Sequence, residues 1–182
     1  DRMALAGATN SASGQTVSLT SHSATLAMDL GTATDTSGTL GLSGAELNTI
    51  TTGLLKLTST GDVGISGAAS AASAGVLHIT SGGMISGGGT ITHGHLTLSA
   101  GAGQSLTANI NSANFAAAAD GDIQISNSAA AAIATTVDGV VGVQSTAGGV
   151  TLVMTTADGL LTSNTAIAGA NFVSIQADRM AL

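Results

Sequence analysis

Two kinds of side chain in this sequence could do chemistry, and the first is histidine. His93 and His95 stand two residues apart in the stretch THGH, so on a β-strand both would point to one face, as two ligands of a zinc ion could. The sequence has no cysteine, and no acidic residue lies near this stretch to complete a zinc site. We therefore expect a pair of solvent-facing histidines and no metal site.

The second kind is aspartate, which recurs at a nearly constant spacing in the second half of the chain. The residues are Asp120, Asp138, Asp158 and Asp178. The middle two lie in related stretches, TTVDG at 135–139 and TTADG at 155–159, where Asp-Gly is typical of a turn in which glycine takes a positive φ. If these turns stack, the carboxylates of Asp138 and Asp158 could share calcium, which is the alternative we keep open. The calcium-binding pattern GGxGxD is missing, so we expect no metal and no other cofactor.

We do not expect catalysis. Lys56 is the single lysine, and most of the ten acidic residues are scattered along the chain. Polysaccharide-cleaving enzymes need clustered acids or bases in one groove, and here there is no tryptophan or tyrosine to hold a sugar ring. No Gly-x-Ser-x-Gly motif with a suitable His and Asp stands out. These observations predict that the chain is not an enzyme.

The composition excludes further classes of function. Three Lys and Arg against ten Asp and Glu give a net charge of −7, which leaves no basic groove for nucleic acid. No apolar run approaches the ~20 residues that cross a bilayer as a helix. Charged residues make up only 7% of the chain and mean hydropathy is +0.45, so the chain should fold instead of remaining disordered.

The elements that must position these side chains are short β-strands. Apolar residues alternate with small polar ones, and this period of two places alternate side chains on one face of a strand. Gly, Asn, Asp and Ser separate the runs, as they do at turns. The alanine runs at 116–119 and 129–132 are predicted to pack tightly without forming helices. The strand runs are VSLTS, TLGLSG, LLKLTS, DVGISG, VLHITS, HLTLSA, DIQIS, VVGVQS and FVSIQA.

These runs repeat with a period of about 20 residues, which predicts a solenoid. Leu40 and Val63 occupy matching positions in two runs, and the triplet ANF occurs at 113–115 and again at 170–172. Proline would remove a ladder hydrogen bond in such a fold, and the chain has none. The prediction is an all-β, right-handed parallel β-helix of about nine coils, forming a single rod over residues 1–182.

The stretch DRMAL opens the chain at residues 1–5 and closes it at residues 178–182. Two of the three basic residues, Arg2 and Arg179, lie in these copies, so composition alone does not explain the match. The repetition predicts a tandem unit of 177 residues, 1–177, with 178–182 beginning the next copy. Neighbouring copies would then stack end to end, and lateral contacts between fibres are an additional possibility.

One stretch carries a family likeness: LSGAELNTITTGLLKLTSTGDVGISG, at 42–67, resembles the haemagglutinin-type repeats of filamentous-haemagglutinin-like bacterial exoproteins, the giant adhesins of two-partner secretion. The resemblance implies a parallel β-helix at the bacterial surface or outside the cell. It implies a stalk, sheath or matrix filament in adhesion between cells or to a surface. The Asn-Pro motifs of that family's secretion domain are absent, since the chain has no proline.

Two alternatives remain open. The first is an adhesin module that binds glycans or a partner directly through a face of the β-helix. It would be marked by an insertion or a charged or aromatic patch that breaks the regular pattern, and the sequence shows none. The second is a filament assembled from short separate subunits instead of one covalent array.

Overall fold

A computed structural model of the protein describes residues 7, 9–12, 14–23 and 25–182. The first DRMAL copy, including Asp1 and Arg2, lies outside the described residues. Strands and one short helix follow in this order: β1 (Thr9–Asn10), β2 (Thr16–Thr20), β3 (Ala27–Leu30), β4 (Thr39–Leu42), α1 (Gly44–Leu47), β5 (Ile50–Ser59), β6 (Val63–Ile65), β7 (Ala69–Ser70), β8 (Ala74–Ser81), β9 (Ile85–Ser86), β10 (Thr90–Thr92) and β11 (His95–Ser99). They continue with β12 (Leu106–Asn111), β13 (Asn114–Ala119), β14 (Ile123–Asn127), β15 (Ala131–Ala134), β16 (Thr136–Val137), β17 (Val140–Val141), β18 (Val143–Ser145), β19 (Val150–Met154), β20 (Leu160–Ser163), β21 (Ile167–Gly169), β22 (Val173–Gln176) and β23 (Arg179–Ala181).

The described chain is all-β apart from one helical turn, as the sequence predicts. Most strands belong to two long sheets, of 11 and 10 strands, and a two-stranded hairpin stands apart from them. Within both long sheets the strand pairs run parallel; β5, for example, lies between β2 and β8. The first alanine run, 116–119, lies in β13, and the second, 129–132, enters β15 only at Ala131. Neither run is helical.

Each long sheet turns one row of apolar side chains inward at every strand pair. In the first sheet the register aligns Leu19, Leu57, Ile79, Leu98, Ala117, Val143 and Ile167. In the second sheet it aligns Met28, Val63, Ile85, Leu106, Ile123, Val150 and Val173. The middle members of both rows are buried in one hydrophobic core. The period-two alternation therefore selects these core residues correctly, but it is wrong for Val141 and Val173, which are 46% and 45% exposed.

The corners between the sheets are closed by serine side chains and by glycine. Ser59 Oγ donates to the carbonyls of Leu26 and Asp62, at 2.9 and 3.1 Å, and Ser81, aligned with Ser59, bonds the next corner in the same way. The chain passes so closely here that a Cβ on Gly101 would lie 2.1 Å from the carbonyl oxygen of Gly82. Buried serines thus satisfy the carbonyls that a corner removes from the ladder.

The stretch with the family likeness begins with the one helix. Ser43 is its N-cap, and a capping box joins the Ser43 and Glu46 side chains to each other's backbone amides. The helix leads from β4 to β5. Because β3 lies between β4 and β6 in the sheet, Leu40 and Val63 share a row, but Met28 separates them. The spacing between those two runs therefore spans two strand pairs and does not measure one repeat.

The ANF repetition does not mark equivalent positions either. Phe115 lies in β13, is 2% exposed and pairs with Ala134. Phe172 precedes β22 and is 50% exposed, with its ring lying against Gly149. The separation of the two triplets therefore does not measure a whole number of coils. An aromatic ring is buried inside the chain in the first case and covers a glycine from outside in the second.

Candidate functional site

One rung of the first sheet is interrupted by an insertion. Both β15 and β18 pair with β13, through Asn114 with Ile133 and Ala117 with Val143. Between them the chain leaves the sheet, forms the antiparallel hairpin β16–β17, and returns. A hydrogen bond from the amide of Gly142 to the carbonyl of Thr135, 3.0 Å long, closes the base of this hairpin.

The hairpin follows from the residues at its tip. Asp138 and Gly139 occupy the two turn positions with φ of 44° and 83°. Two successive positive φ values are what a two-residue hairpin turn requires, and Asp-Gly is among the sequences that adopt it most readily. Val-Asp-Gly-Val was therefore a hairpin signal in the sequence. The resemblance of TTVDG to TTADG led instead to the prediction of a stacked turn.

The carboxylate of Asp138 lies between two basic side chains of the first sheet. Its Oδ2 is 3.2 Å from Lys56 Nζ and 2.5 Å from His78 Nδ1. Lys56 belongs to β5 and His78 to β8, where the two residues are register partners. Partial burial opposes ionisation of Asp138, but the hydrogen bonds and positive charge of His78 and Lys56 outweigh it and hold its pKa below the usual value. The Asp138 carboxylate is therefore held in place by two basic side chains. We call Lys56, His78 and Asp138 the clasp.

The stem of the hairpin covers small side chains on the outer face of the sheet. Thr97 and Ala116 are 0% and 1% exposed, although they alternate with the inward residues of their strands. Thr97 Oγ1 donates to the carbonyl of Val137 over 2.9 Å, in a buried hydrogen bond. The register places Lys56, His78, Thr97 and Ala116 in one outward row. The hairpin lies along this row, and the clasp is at its far end.

The second Asp-Gly turn is built differently. Asp158 has a φ of 59°, but Gly159 does not have a positive φ, and the chain continues into β20. The amide of Asp158 donates to Asp178 Oδ2 over 2.7 Å. Arg179 donates to the Asp158 carbonyl from Nε and Nη2, at 3.1 and 2.8 Å. The first two residues of the described DRMAL copy therefore hold the turn of the preceding strand.

The predicted column of four aspartates is not formed. Asp138 follows β15 and Asp158 precedes β20, and because β15 and β20 pair in parallel, the two residues lie at opposite ends of this strand pair. Asp120 accepts from the Gly103 amide and the Thr146 hydroxyl, which lower its pKa. Only Asp158 and Asp178 are neighbours, and they meet through a backbone amide. The geometry assumed for calcium shared by Asp138 and Asp158 is thus wrong, because the hairpin carries Asp138 away.

The two histidines of THGH do not share a strand face. Gly94 separates β10 from β11 at a corner; His93 is 5% exposed, while His95 is exposed. The prediction of a solvent-facing pair is therefore wrong for His93. Its Nε2 lies 3.1 Å from the carbonyl of Ala74, and its Nδ1 lies 3.1 Å from the amide of His95. Burial lowers the pKa of His93, which favours the neutral ring. Nε2 donates to the Ala74 carbonyl, and Nδ1 contacts both the amide and the carbonyl of His95, the latter over 2.9 Å, so both nitrogens are engaged.

The last three strands expose the edges of both sheets. Among the described residues, β21, β22 and β23 each pair with one strand only. Four of the six exposed large apolar side chains lie here: Phe172, Val173, Met180 and Leu182. A cavity of about 480 Å³ opens between these strands, with Ile167, Val173, Ile175 and Leu182 in its wall. This end of the described chain therefore presents unpaired backbone and apolar surface together, and we call it the open edge.

The described residues contain no group of three or more His, Asp or Glu that could hold a metal ion. Within the same residues no helix has the length and apolar character to cross a membrane. Comparison with known proteins gave no matching family model and no significant similarity to a curated protein or a solved structure.

Proposed function

We propose that this chain is a segment of a right-handed parallel β-helix and that its function is structural. The two aligned apolar rows support the coil, since from Leu57 and Val63 onward each residue pairs in parallel with one that lies 17 to 27 residues further along the chain. Right-handed connection is the rule for parallel strands in one sheet. The row in the first sheet has seven members, and the row in the second sheet has eight when Leu40 is included, which favours seven or eight coils over the nine expected from the repeat length.

The observation that carries the structural function is the open edge. Parallel strands with a free edge and exposed apolar residues are a template for further strands. A further rung of the same kind fits this edge, because it continues both sheets and covers Val173, Met180 and Leu182. We propose that copies of this unit meet there, end to end, and that the result is a stiff fibre without catalytic activity.

The DRMAL repetition supports a covalent array. Asp178 and Arg179 hold the turn at Asp158. We propose that in an array of copies this contact recurs at each junction, which would explain why the letters DRMAL are repeated. Together with the haemagglutinin-like stretch at 42–67, this supports a giant exoprotein at the bacterial surface or outside the cell. Its fibre would serve as a stalk, sheath or matrix filament in adhesion.

The end-to-end proposal is tested with the 182-residue chain and two matched variants. Met180→Lys places a charge on the open edge, where Met180 is 46% exposed, and Met84→Lys places the same charge beside β9, where Met84 is 42% exposed. Sedimentation velocity over a concentration series should show association of the parent chain and of Met84→Lys. Met180→Lys should associate at least ~10-fold more weakly, since a buried charge is costly. Equal behaviour of all three, or a monomeric parent chain, would contradict the proposal.

Whether copies are joined covalently is a separate question with a separate measurement. A denaturing gel of protein isolated from its natural source should show a very large chain if the units are in tandem. A band near 17 kDa would instead support the alternative of short subunits that assemble.

A second candidate function is direct binding of a glycan or partner through the side of the fibre. The β16–β17 hairpin favours it, because this insertion and the charged clasp are the kind of irregularity that such a site requires. Val141 on the hairpin is 46% exposed. If the hairpin is a binding site, Val141→Lys should abolish attachment of the chain to target cells while leaving end-to-end association unchanged. If Val141→Lys does not affect attachment, the binding function is refuted and only the structural function remains.

A further inference from the structure

We propose that the β16–β17 hairpin is an axial staple that makes β5, β8, β11 and β13 open as one cooperative block. In a stack of strands each strand contacts only its neighbours, so stability is normally a sum of nearest-neighbour terms and strands can separate one at a time. The staple adds contacts that skip intervening strands. This inference concerns the stability of the side of the rod and does not depend on the proposed end-to-end assembly.

The hairpin originates beside β13 but ends beside β5. Its base lies between β15 and β18, both partners of β13, and its tip carries Asp138 to Lys56. Strands of one sheet lie about 4.8 Å apart, so the hairpin crosses roughly 14 Å of sheet from Ala116 to Lys56. Each strand on the way is contacted: Thr97 of β11 through the Val137 carbonyl, and His78 of β8 through the carboxylate.

The outward row is matched to the hairpin along its whole length. Beneath the stem stand Ala116 and Thr97, whose small side chains let the hairpin backbone lie close to the sheet, and both are fully covered. Beneath the tip stand His78 and Lys56, which are long enough to reach the carboxylate. The side chain of Asp138 is 22% exposed and that of His78 is 13% exposed, so the clasp is partly shielded from water.

The consequence is a coupling between strands that do not touch. To separate β5 from β8, the chain must either break the Lys56 contact or lift the hairpin. Lifting the hairpin uncovers Thr97 and Ala116 and breaks the buried hydrogen bond from Thr97 to the Val137 carbonyl. Opening at β5 is therefore linked to opening at β11 and β13. Strands beyond the staple, such as β20 and β23, are not linked in this way.

The test is native-state hydrogen exchange of the 182-residue chain with Asp138→Asn. Asparagine tolerates the positive φ of the turn, so the change removes the charge and leaves the hairpin geometry. Asp158→Asn is the matched control. It makes the same change in the related stretch TTADG, where the carboxylate forms no ion pair with any residue that the structure describes. Asp138→Asn should speed exchange of β5, β8, β11 and β13 amides by one common factor of about two- to fivefold, the size of a partly exposed ion pair. Amides of β20 and β23 should be unchanged, and the control should not affect the block.

Faster amide exchange confined to residues 136–141 would refute the proposed coupling, and so would exchange that accelerates by different factors in the four strands. Lys56→Met gives an independent experiment, since it changes β5 alone. Amide exchange that accelerates equally in β13 and β5 supports the coupling, and acceleration limited to β2, β5 and β8 refutes it.

If either variant does not fold, a salt series on the unaltered chain replaces it. Salt screens the clasp, so exchange in the four strands should then rise in parallel, and a rise in β5 alone would overturn the proposal.

Discussion

Lys56 Nζ lies 3.2 Å from Asp138 Oδ2, although Lys56 belongs to an early strand and Asp138 to a hairpin that emerges much later in the chain. Lys56 and Arg179 are the two residues with permanent positive charge in the described part of the chain, and each holds one Asp-Gly turn. Lys56 binds the Asp138 carboxylate, and Arg179 binds the Asp158 carbonyl. Each of these two positively charged side chains thus anchors a turn to a strand.

Replacing Thr97 by valine should destabilise the chain by about 0.5–1.5 kcal/mol. Valine has the same shape, but it cannot donate to the Val137 carbonyl, so one buried hydrogen bond is lost. Thr80→Val is the control, since Thr80 is half-buried in the neighbouring outward row. Urea unfolding of both variants would measure the difference. Equal stability of the two would mean that the hairpin does not cover Thr97 in solution.

The clasp predicts a loss of stability in acid. The pKa of Asp138 is lowered in the folded chain, so the folded state favours the ionised form. The stabilisation is fully present above the ordinary pKa of 3.8 and is lost as pH falls through the lower, folded pKa. Because Lys56 is 41% exposed, solvent limits the effect to about 1 kcal/mol or less.

Thermal unfolding of the parent chain and of Asp138→Asn between pH 7 and pH 2 would measure this loss. The difference in Tm between the two proteins should be constant above pH 5 and should shrink below pH 4. A difference that persists unchanged at pH 2 would show that the charge of Asp138 contributes nothing.

His93 predicts a second pH dependence, in a higher range. Burial lowers its pKa below the usual 6.5, so the unfolded chain takes up a proton there before the folded chain does. Stability should therefore be unaffected by this group above about pH 7.5, and it should fall as pH drops from 6.5 towards the folded pKa. His93→Asn should remove that slope and lower stability at pH 8 by about 1–3 kcal/mol through lost buried hydrogen bonds.

The control for His93 is His22→Asn, because His22 is exposed. This control should retain the slope of the parent chain between pH 6.5 and pH 5. Unfolding curves at half-unit pH steps are sufficient to separate the two variants. If His22→Asn removes the slope and His93→Asn does not, the assignment to a buried neutral ring is wrong.

The close approach of successive corners predicts intolerance of a single methyl group. In Gly101→Ala the new Cβ would lie 2.1 Å from the Gly82 carbonyl oxygen, so the corner must move, at a cost of about 1–3 kcal/mol or more. Gly94→Ala is matched to it, because Gly94 has open space around a Cβ and no positive φ. Denaturant midpoints should drop for the first variant and stay or rise for the second. Equal midpoints would refute the tight stacking of Gly101 on Gly82.

The core could be predicted from the sequence because it depends on local alternation. Val63 and Ile65, or Leu77 and Ile79, are buried since they occupy every second position of a strand between turns. The turn residues were also recognisable, because Asp-Gly favours a turn: both residues tolerate the positive φ that a tight turn requires. Pairing partners were less accessible. Leu40 lies one strand further from Val63 than its spacing suggests, because β3 is inserted between them, and the chain carries no local signal of that insertion.

TTVDG and TTADG show where local information ends. The sequence by itself determined that both stretches turn and that parallel strands with small, uncharged side chains flank them. Only the tertiary structure decided that the first becomes a hairpin lying across the sheet and the second a turn within it. The physical reason is what lies in register beneath the first: Ala116 and Thr97 leave space for a stem, and His78 and Lys56 hold its tip. These four residues come from four other strands, and no window of sequence contains them together.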